Sequence, residues 1–187
     1  MAKLRPFRQI DENDVVNLYA FDGASANKGD MVKLSTTKTW KIGNEFDQDA
    51  VSSTTYTNTV SDRYSVKARV ALAASGDTPL GMLMYDVTET DENGEKLIWH
   101  PRKAHEMQVS VSGQAVPVLT KGIVLVEVES GEDTLLTIAA GSNAYAGDNG
   151  TIITATSSRV GDLVKVGKFL GPKDTDNGNQ ALLKLDL

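Results

Sequence analysis

The chain has 187 residues, a net charge of -6 from 25 acidic and 19 basic side chains, and no cysteine. That length suits one domain that buries most of its apolar surface without staples, and the absence of cysteine excludes disulfides and thiolate metal sites. The acidic balance argues against a broad grip on nucleic acid, and no run reaches the roughly 18 to 20 apolar residues of a membrane span.

Residues 1–14 read as an extended N-terminal arm. Pro6 blocks a helix interior, and Lys3, Leu4, Arg5, Phe7, Arg8 and Ile10 mix basic and apolar types without a clean period. Such a segment either trails in solvent or lies along a partner. Asp11, Glu12 and Asp14 follow at once, so it lacks the apolar centre of a signal peptide, and synthesis in the cytoplasm is the simplest expectation. Val15, Val16, Leu18, Tyr19 and Phe21 then predict a first strand that ends at Asp22-Gly23.

Gly29-Asp30-Met31-Val32-Lys33-Leu34 predicts a turn feeding an alternating strand, and nearly the same letters recur at Gly161-Asp162-Leu163-Val164-Lys165-Val166. Residues 35–61 are rich in Ser and Thr, with Trp40, Phe46 and Tyr56 as isolated aromatics; they read as an insertion or a second sheet layer. Val66, Ala68 and Val70 alternate with Lys67 and Arg69, predicting a strand over 64–72, and another follows over 80–87. Asp91-Glu92-Asn93-Gly94 predicts a hairpin turn, and 102–108 an exposed turn or short helix. Trp99 precedes His100-Pro101-Arg102-Lys103, a polar break that places it near the surface.

The strongest strand signal runs from Gly113 to Val128. Val116, Val118, Ile123, Val124, Val126 and Val128 are β-branched, and Thr120-Lys121-Gly122 between them predicts two strands joined by a tight turn. Pro117 lacks an amide donor and should sit at an edge or beside a bulge. Further strands are expected over 134–139, 151–155 and 165–170, with a closing strand whose Leu182, Leu183, Leu185 and Leu187 pack the C-terminus into the sheet. The pattern as a whole predicts a mainly β chain. It is a small antiparallel β-barrel or β-sandwich spanning 15–187 as a single domain, with the extended arm and the Ser/Thr-rich insertion attached.

Patterns that carry chemistry are near misses. The run from Gly161 to Lys168 resembles a phosphate loop, but its second glycine falls one place late and Phe169 stands where Ser or Thr should hold magnesium. His105-Glu106 begins like a zinc-protease helix, yet Val109 occupies the second histidine position. Asp174, Asp176, Asn177 and Asn179 offer oxygens, with the glycine one residue too early for a calcium loop. Solvated turns and locally bonded histidines account for these residues. No catalytic, cofactor or metal residue is therefore assigned, and a carboxylate-based glycosidase is the enzyme alternative.

The order Ala115-Val116-Pro117-Val118, Gly122 to Val126, Gly147 to Ile152, Val160 to Lys165, Val166 to Leu170, polar turn and closing strand resembles the head decoration, or capsid cement, proteins of tailed bacteriophages. The resemblance covers Gly76 to Leu187 and the Gly29 to Leu34 strand. It implies a small β-barrel or β-sandwich on the outside of the capsid, commonly a homotrimer that binds the major capsid protein. It implies no catalytic residue, no cofactor, and no nucleic-acid or membrane partner. The N-terminal arm, Lys3, Leu4, Arg5, Phe7, Arg8 and Ile10, is then the expected capsid contact. The alternatives are a tail or fibre component, or a carbohydrate-binding module using exposed aromatics such as Trp99.

Overall fold

The structure, a computed structural model, describes residues 4–35, 41–42, 46–47, 68–127, 138–154, 163–174 and 180–187. In chain order the strands begin with β1 (Leu4–Pro6), β2 (Val15–Val16), β3 (Ala20–Phe21), β4 (Met31–Ser35), β5 (Lys41–Ile42) and β6 (Phe46–Asp47). They continue with β7 (Arg69–Leu72), β8 (Pro79–Leu83), β9 (Asp86–Thr88), β10 (Val109–Val111) and β11 (Val118–Leu119). The last are β12 (Lys121–Glu127), β13 (Asn143–Ala146), β14 (Ile152–Thr154), β15 (Lys165–Phe169) and β16 (Gln180–Asp186). A short helix, α1 (Pro101–Met107), lies between β9 and β10.

Two six-stranded sheets carry the fold. The first, in the order β1-β12-β16-β15-β13-β14, is antiparallel throughout. The second, β2-β11-β8-β4-β7-β3, is antiparallel except for its β3–β7 pair. There Arg69, only 2% exposed, reaches Asp22 at 3.3 Å beside the parallel strands. The expected class, mainly β and of the barrel or sandwich kind, is the observed one.

The second sheet closes on itself. β2 and β3 stand at opposite ends of its strand order, although residues 17–19 alone separate them. Four extended steps cover roughly 13 Å, whereas five strand spacings laid flat would need about 24 Å, so the sheet must curl until its ends meet. The backbone agrees: Val118 lies opposite Val16, the Val116 amide donates to Tyr19 O at 3.0 Å, and Ala20 bridges Ala115. Residues 15–21, expected as one strand, form a bent ribbon along 115–119. Inside the resulting barrel lie Phe21, Val32, Val70, Leu83, Val116 and Val118.

The first sheet packs against the barrel's flank. Met31, Met82 and Leu119 of the barrel meet Leu4, Val124, Val126, Phe169, Leu183 and Leu185 of the sheet, all fully or almost fully buried. Alternation explains the sharing: along β4, β8 and β11, one residue turns into the barrel and its neighbour turns toward the first sheet.

Further expectations change. The hairpin expected around Thr120 does not form, because β11 belongs to the barrel and β12 to the first sheet. Lys121 and Gly122 are already strand, opposite Asp186 and Leu185, and Thr120 is a corner between layers. A hairpin would hold both strands in one sheet; bending at Thr120 lets Leu119 and Val124 share one core. Pro117 is at neither an edge nor a bulge: it directly precedes β11, which lies between β2 and β8, and its carbonyl accepts from the Met84 amide at 3.1 Å. The repeated letters at 29–34 and 161–166 also occupy unlike places. Met31 and Val166 both reach the shared core, whereas Leu34, the counterpart of Val166, is 43% exposed. Most of the 35–61 insertion and residues 134–137 lie outside the described residues; β5 and β6 form a small antiparallel pair.

At the end away from Thr120, the hairpin loop between β13 and β14 fastens the sheet to the barrel. The Gly150 amide donates to Ala73 O at 2.8 Å and the Ser75 amide to Asp148 Oδ1 at 2.9 Å. Gly150 has φ +73°, and a Cβ there would lie 2.9 Å from Met31 O and 3.1 Å from Asp30 Cβ. Both backbone conformation and space therefore require glycine. Gly150→Ala is expected to destabilise the fold by about 1–3 kcal/mol, read as a lower urea midpoint at unchanged slope. An unchanged midpoint would show that the joint tolerates a side chain.

Candidate functional site

One large surface of this fold is built by the strands themselves: the side of the first sheet turned away from the barrel. Where Val124, Val126, Leu183 and Leu185 point into the shared core, their neighbours Ile123, Leu125, Leu182 and Lys184 point out. Register then aligns them into cross-strand rows. One row runs Arg5, Leu125, Leu182, with Leu170 donating its amide to Leu182 O at the far end. The next runs Phe7, Ile123, Lys184, Lys168, Asn143. Ile123, Leu125 and Leu182 are half-buried, while Phe7 is 60% and Leu170 42% exposed. The outcome is an apolar band bordered by cations on a molecule whose net charge is -6.

The expected arm residues divide around this face. Arg5 and Phe7 belong to it. Leu4 does not, and its expected role as a contact residue is corrected: it is 0% exposed and part of the shared core. Ile10 is half-buried against that core, Arg8 is exposed, and Lys3 lies outside the described residues. Of the segment expected as an extended arm, Leu4–Pro6 is a strand paired antiparallel with β12 and Glu12–Asp14 is a 3-10 turn. Hydrogen bonding alternates along such a pair, so the Phe7 amide donates inward to Ile123 O at 3.0 Å while the backbone groups of Leu4 and Pro6 face outward. Pro6 has no amide hydrogen, which makes this edge a poor template for another strand.

Sequence inspection missed Leu125, Leu182, Leu170, Lys168 and Lys184. A signal was present: Ile123 to Val126 and Leu182-Leu183 are apolar at consecutive positions, so both faces of β12 and β16 carry apolar side chains. Nothing in the letters says that the described residues leave the second face uncovered.

The other singled-out residues lie elsewhere. Residues 88–114 leave the barrel as a small lobe in which Leu97, Ala104 and Val111 form their own core. Trp99, expected near the surface, is 62% exposed there, His100 precedes α1, and His105 lies within it. His105, Tyr85, Gln108 and Pro117 line a cleft of about 500 Å³. A second cleft, of about 480 Å³, is bordered by Asp30 and Asp148, whose carboxylates accept the Asn27 and Ser75 amides and so serve the loops around the joint. Lys165 to Lys168 of the phosphate-loop look-alike are strand. Asp174 bridges Gln180, and Asp176, Asn177 and Asn179 lie outside the described residues.

The lobe is held by the turn that the sequence predicts at 91–94. Asp91 Oδ1 accepts the Asn93 and Glu95 amides, each at 2.8 Å, and Lys103 Nζ of α1 donates to Oδ2. The Lys103 hydrogen bond holds the Asp91 carboxyl below the usual carboxylate range, and Asp91 in turn raises the Lys103 ammonium. A depressed folded-state pKa stabilises the fold above the ordinary carboxylate range and ceases to do so as pH falls through it. Among the described residues, no three His, Asp or Glu side chains gather as a metal site.

No protein-family model matches the chain, and no curated protein matches it. Lys103→Met is expected to lower the melting temperature at pH 7, with the gap to the unchanged chain narrowing below roughly pH 4. A gap that persists undiminished at pH 3 would count against the Lys103–Asp91 clamp.

Proposed function

We propose that the chain is a non-enzymatic structural protein of a tailed-phage virion that binds the outside of the capsid and reinforces it. The observation that carries this reading is the open face of the first sheet, an apolar band bordered by cations to which the N-terminal strand contributes Arg5 and Phe7. Its partner in this reading is the major capsid protein, and the bound form is a homotrimer. A specific contact needs about 1,000 Å² or more of buried surface, which a broad sheet face supplies and a narrow cleft does not. Three such faces in a trimer add their attachments on a rigid lattice, so that modest single affinities suffice.

Reinforcement follows by mass action. A protein that binds the assembled shell and not its dissociated parts stabilises the shell by about 2.7 kcal/mol per site when its concentration is a hundredfold above Kd. The contact residues are side chains on the sheet's outer surface, so binding requires no rearrangement of the core beneath them.

The test uses purified shells of the phage that carries the gene. The full chain is expected to co-sediment with them and to raise their disruption temperature, and Phe7→Ser is expected to weaken binding about tenfold. Point variants serve better than deletion of the arm, since deletion also removes Leu4 from the core. Shells that neither bind the unchanged chain nor gain heat resistance from it would overturn the proposal.

A further inference from the structure

Two exposed lysines of the open face stand directly opposite each other: Lys168 on β15 pairs with Lys184 on β16. Like charges at opposed positions destabilise a sheet, where opposite charges would contribute about 0.2–1 kcal/mol. On a chain with more acidic than basic residues, a carboxylate at either position would have removed the conflict. Neither lysine has an ion-pair partner among the described residues, and the same holds for Arg5 and Lys165. Two carboxylates on these strands share the face, Glu127 at the end of β12 and Asp186, which lies 4.0 Å from Lys121, against the five cations Arg5, Lys121, Lys165, Lys168 and Lys184. The face therefore carries a sign opposite to that of the whole molecule, at a local cost to stability. Local choices that oppose the fold mark functional positions.

From this we infer that the open face receives an acidic protein surface with apolar side chains at its centre. The inference deepens the shell-binding reading and rests on the same face. The band of Leu125, Leu182 and Phe7 meets the partner's apolar centre, and Lys168, Lys184 and Arg5 meet its carboxylates. An incoming carboxylate between the opposed lysines turns their repulsion into two attractions, so binding relieves a conflict that the free chain bears. Nucleic acid fits less well: phosphate binding relies on many basic contacts, the cations here flank an apolar band, and the net charge of -6 repels a long polyanion.

The experiment titrates isotope-labelled full chain with a random glutamate–tyrosine copolymer, an acidic polypeptide with aromatic side chains. Chemical-shift changes are expected on β12, β15 and β16, with affinity falling as salt rises. Lys184→Glu is the decisive variant. It places a carboxylate opposite Lys168, so its melting temperature should rise by about 1–3 °C while affinity for the copolymer falls about tenfold. Arg102→Glu, the same charge change on α1, should leave affinity within about twofold. Four results would each overturn the inference: no copolymer binding, an equal loss with Arg102→Glu, a lower melting temperature for Lys184→Glu, or tighter binding to duplex DNA than to the copolymer. Shells separate this inference from the reading beneath it. If shells bind the unchanged chain and Lys184→Glu equally well, the acidic-partner inference fails and shell binding stands; if the copolymer results hold and shells bind neither protein, shell binding fails.

Discussion

Three segments meet at Thr120. Its amide and its hydroxyl both donate to Asp14 O, at 2.8 and 2.9 Å, and its carbonyl accepts the Leu187 amide at 3.2 Å. The residue thus ties the start of the bent barrel ribbon and the end of the closing strand to the corner where the chain leaves the barrel for the sheet. Each hydrogen bond contributes only about 0.5–1.5 kcal/mol net, whereas a fully buried Leu, Val or Phe contributes about 1.5–3 kcal/mol. The layers are therefore held by Leu119, Val124, Phe169, Leu183 and their neighbours. What Thr120 fixes is geometry: it sets which side of β12 faces the barrel, and a slip of one residue would exchange Val124 and Val126 for Ile123 and Leu125.

That choice determines everything about the open face. β12 carries Ile123 and Leu125 on the side away from Val124 and Val126, and β16 carries Leu182 beside the inward Leu183, so apolar side chains stand on both sides of the two strands. The corner commits Val124 and Val126, with Leu183 and Leu185 opposite, to the interior, leaving Leu125 and Leu182 outside. The Gly150 joint ties the other edge of the first sheet to the barrel, through the Gly150 amide on Ala73 O and the Ser75 amide on Asp148 Oδ1. Two joints and one shared core make the outer surface rigid, and rigidity is what a surface needs if it is to bind by area, since little ordering entropy remains to be lost on contact.

Much of this was legible in the letters, and the failures have physical causes. Alternation in 181–187 marked a strand because the core buries one face of it, whereas Arg69, expected on a solvated face of its strand, is 2% exposed and reaches Asp22. Asp91 to Gly94 marked its turn because an Asp side chain accepting two local amides is a short-range device. The corner at Thr120 was read as a hairpin because local residues specify that the chain bends, while the layer to which each strand belongs depends on β2, β8, β1 and β16, far away in sequence. The site was legible only through its N-terminal residues. Lys168 and Lys184 are separated by fifteen positions, and no periodicity announces that register will place them opposite each other.

The N-terminal segment shows why a contact surface and a core need not be separate parts of a chain. Leu4 faces inward and contributes to the shared core, Arg5 and Phe7 face outward beside Leu125 and Ile123, and Pro6 between them withholds the amide that would invite a foreign strand. Within four residues the chain anchors itself, presents a charge and a ring, and blunts its own edge. An arm that merely trailed would lose conformational entropy on binding, about 1–2 kcal/mol for each residue ordered. Anchored by Leu4, this one loses that entropy on folding, and its outward side chains meet a partner already in place.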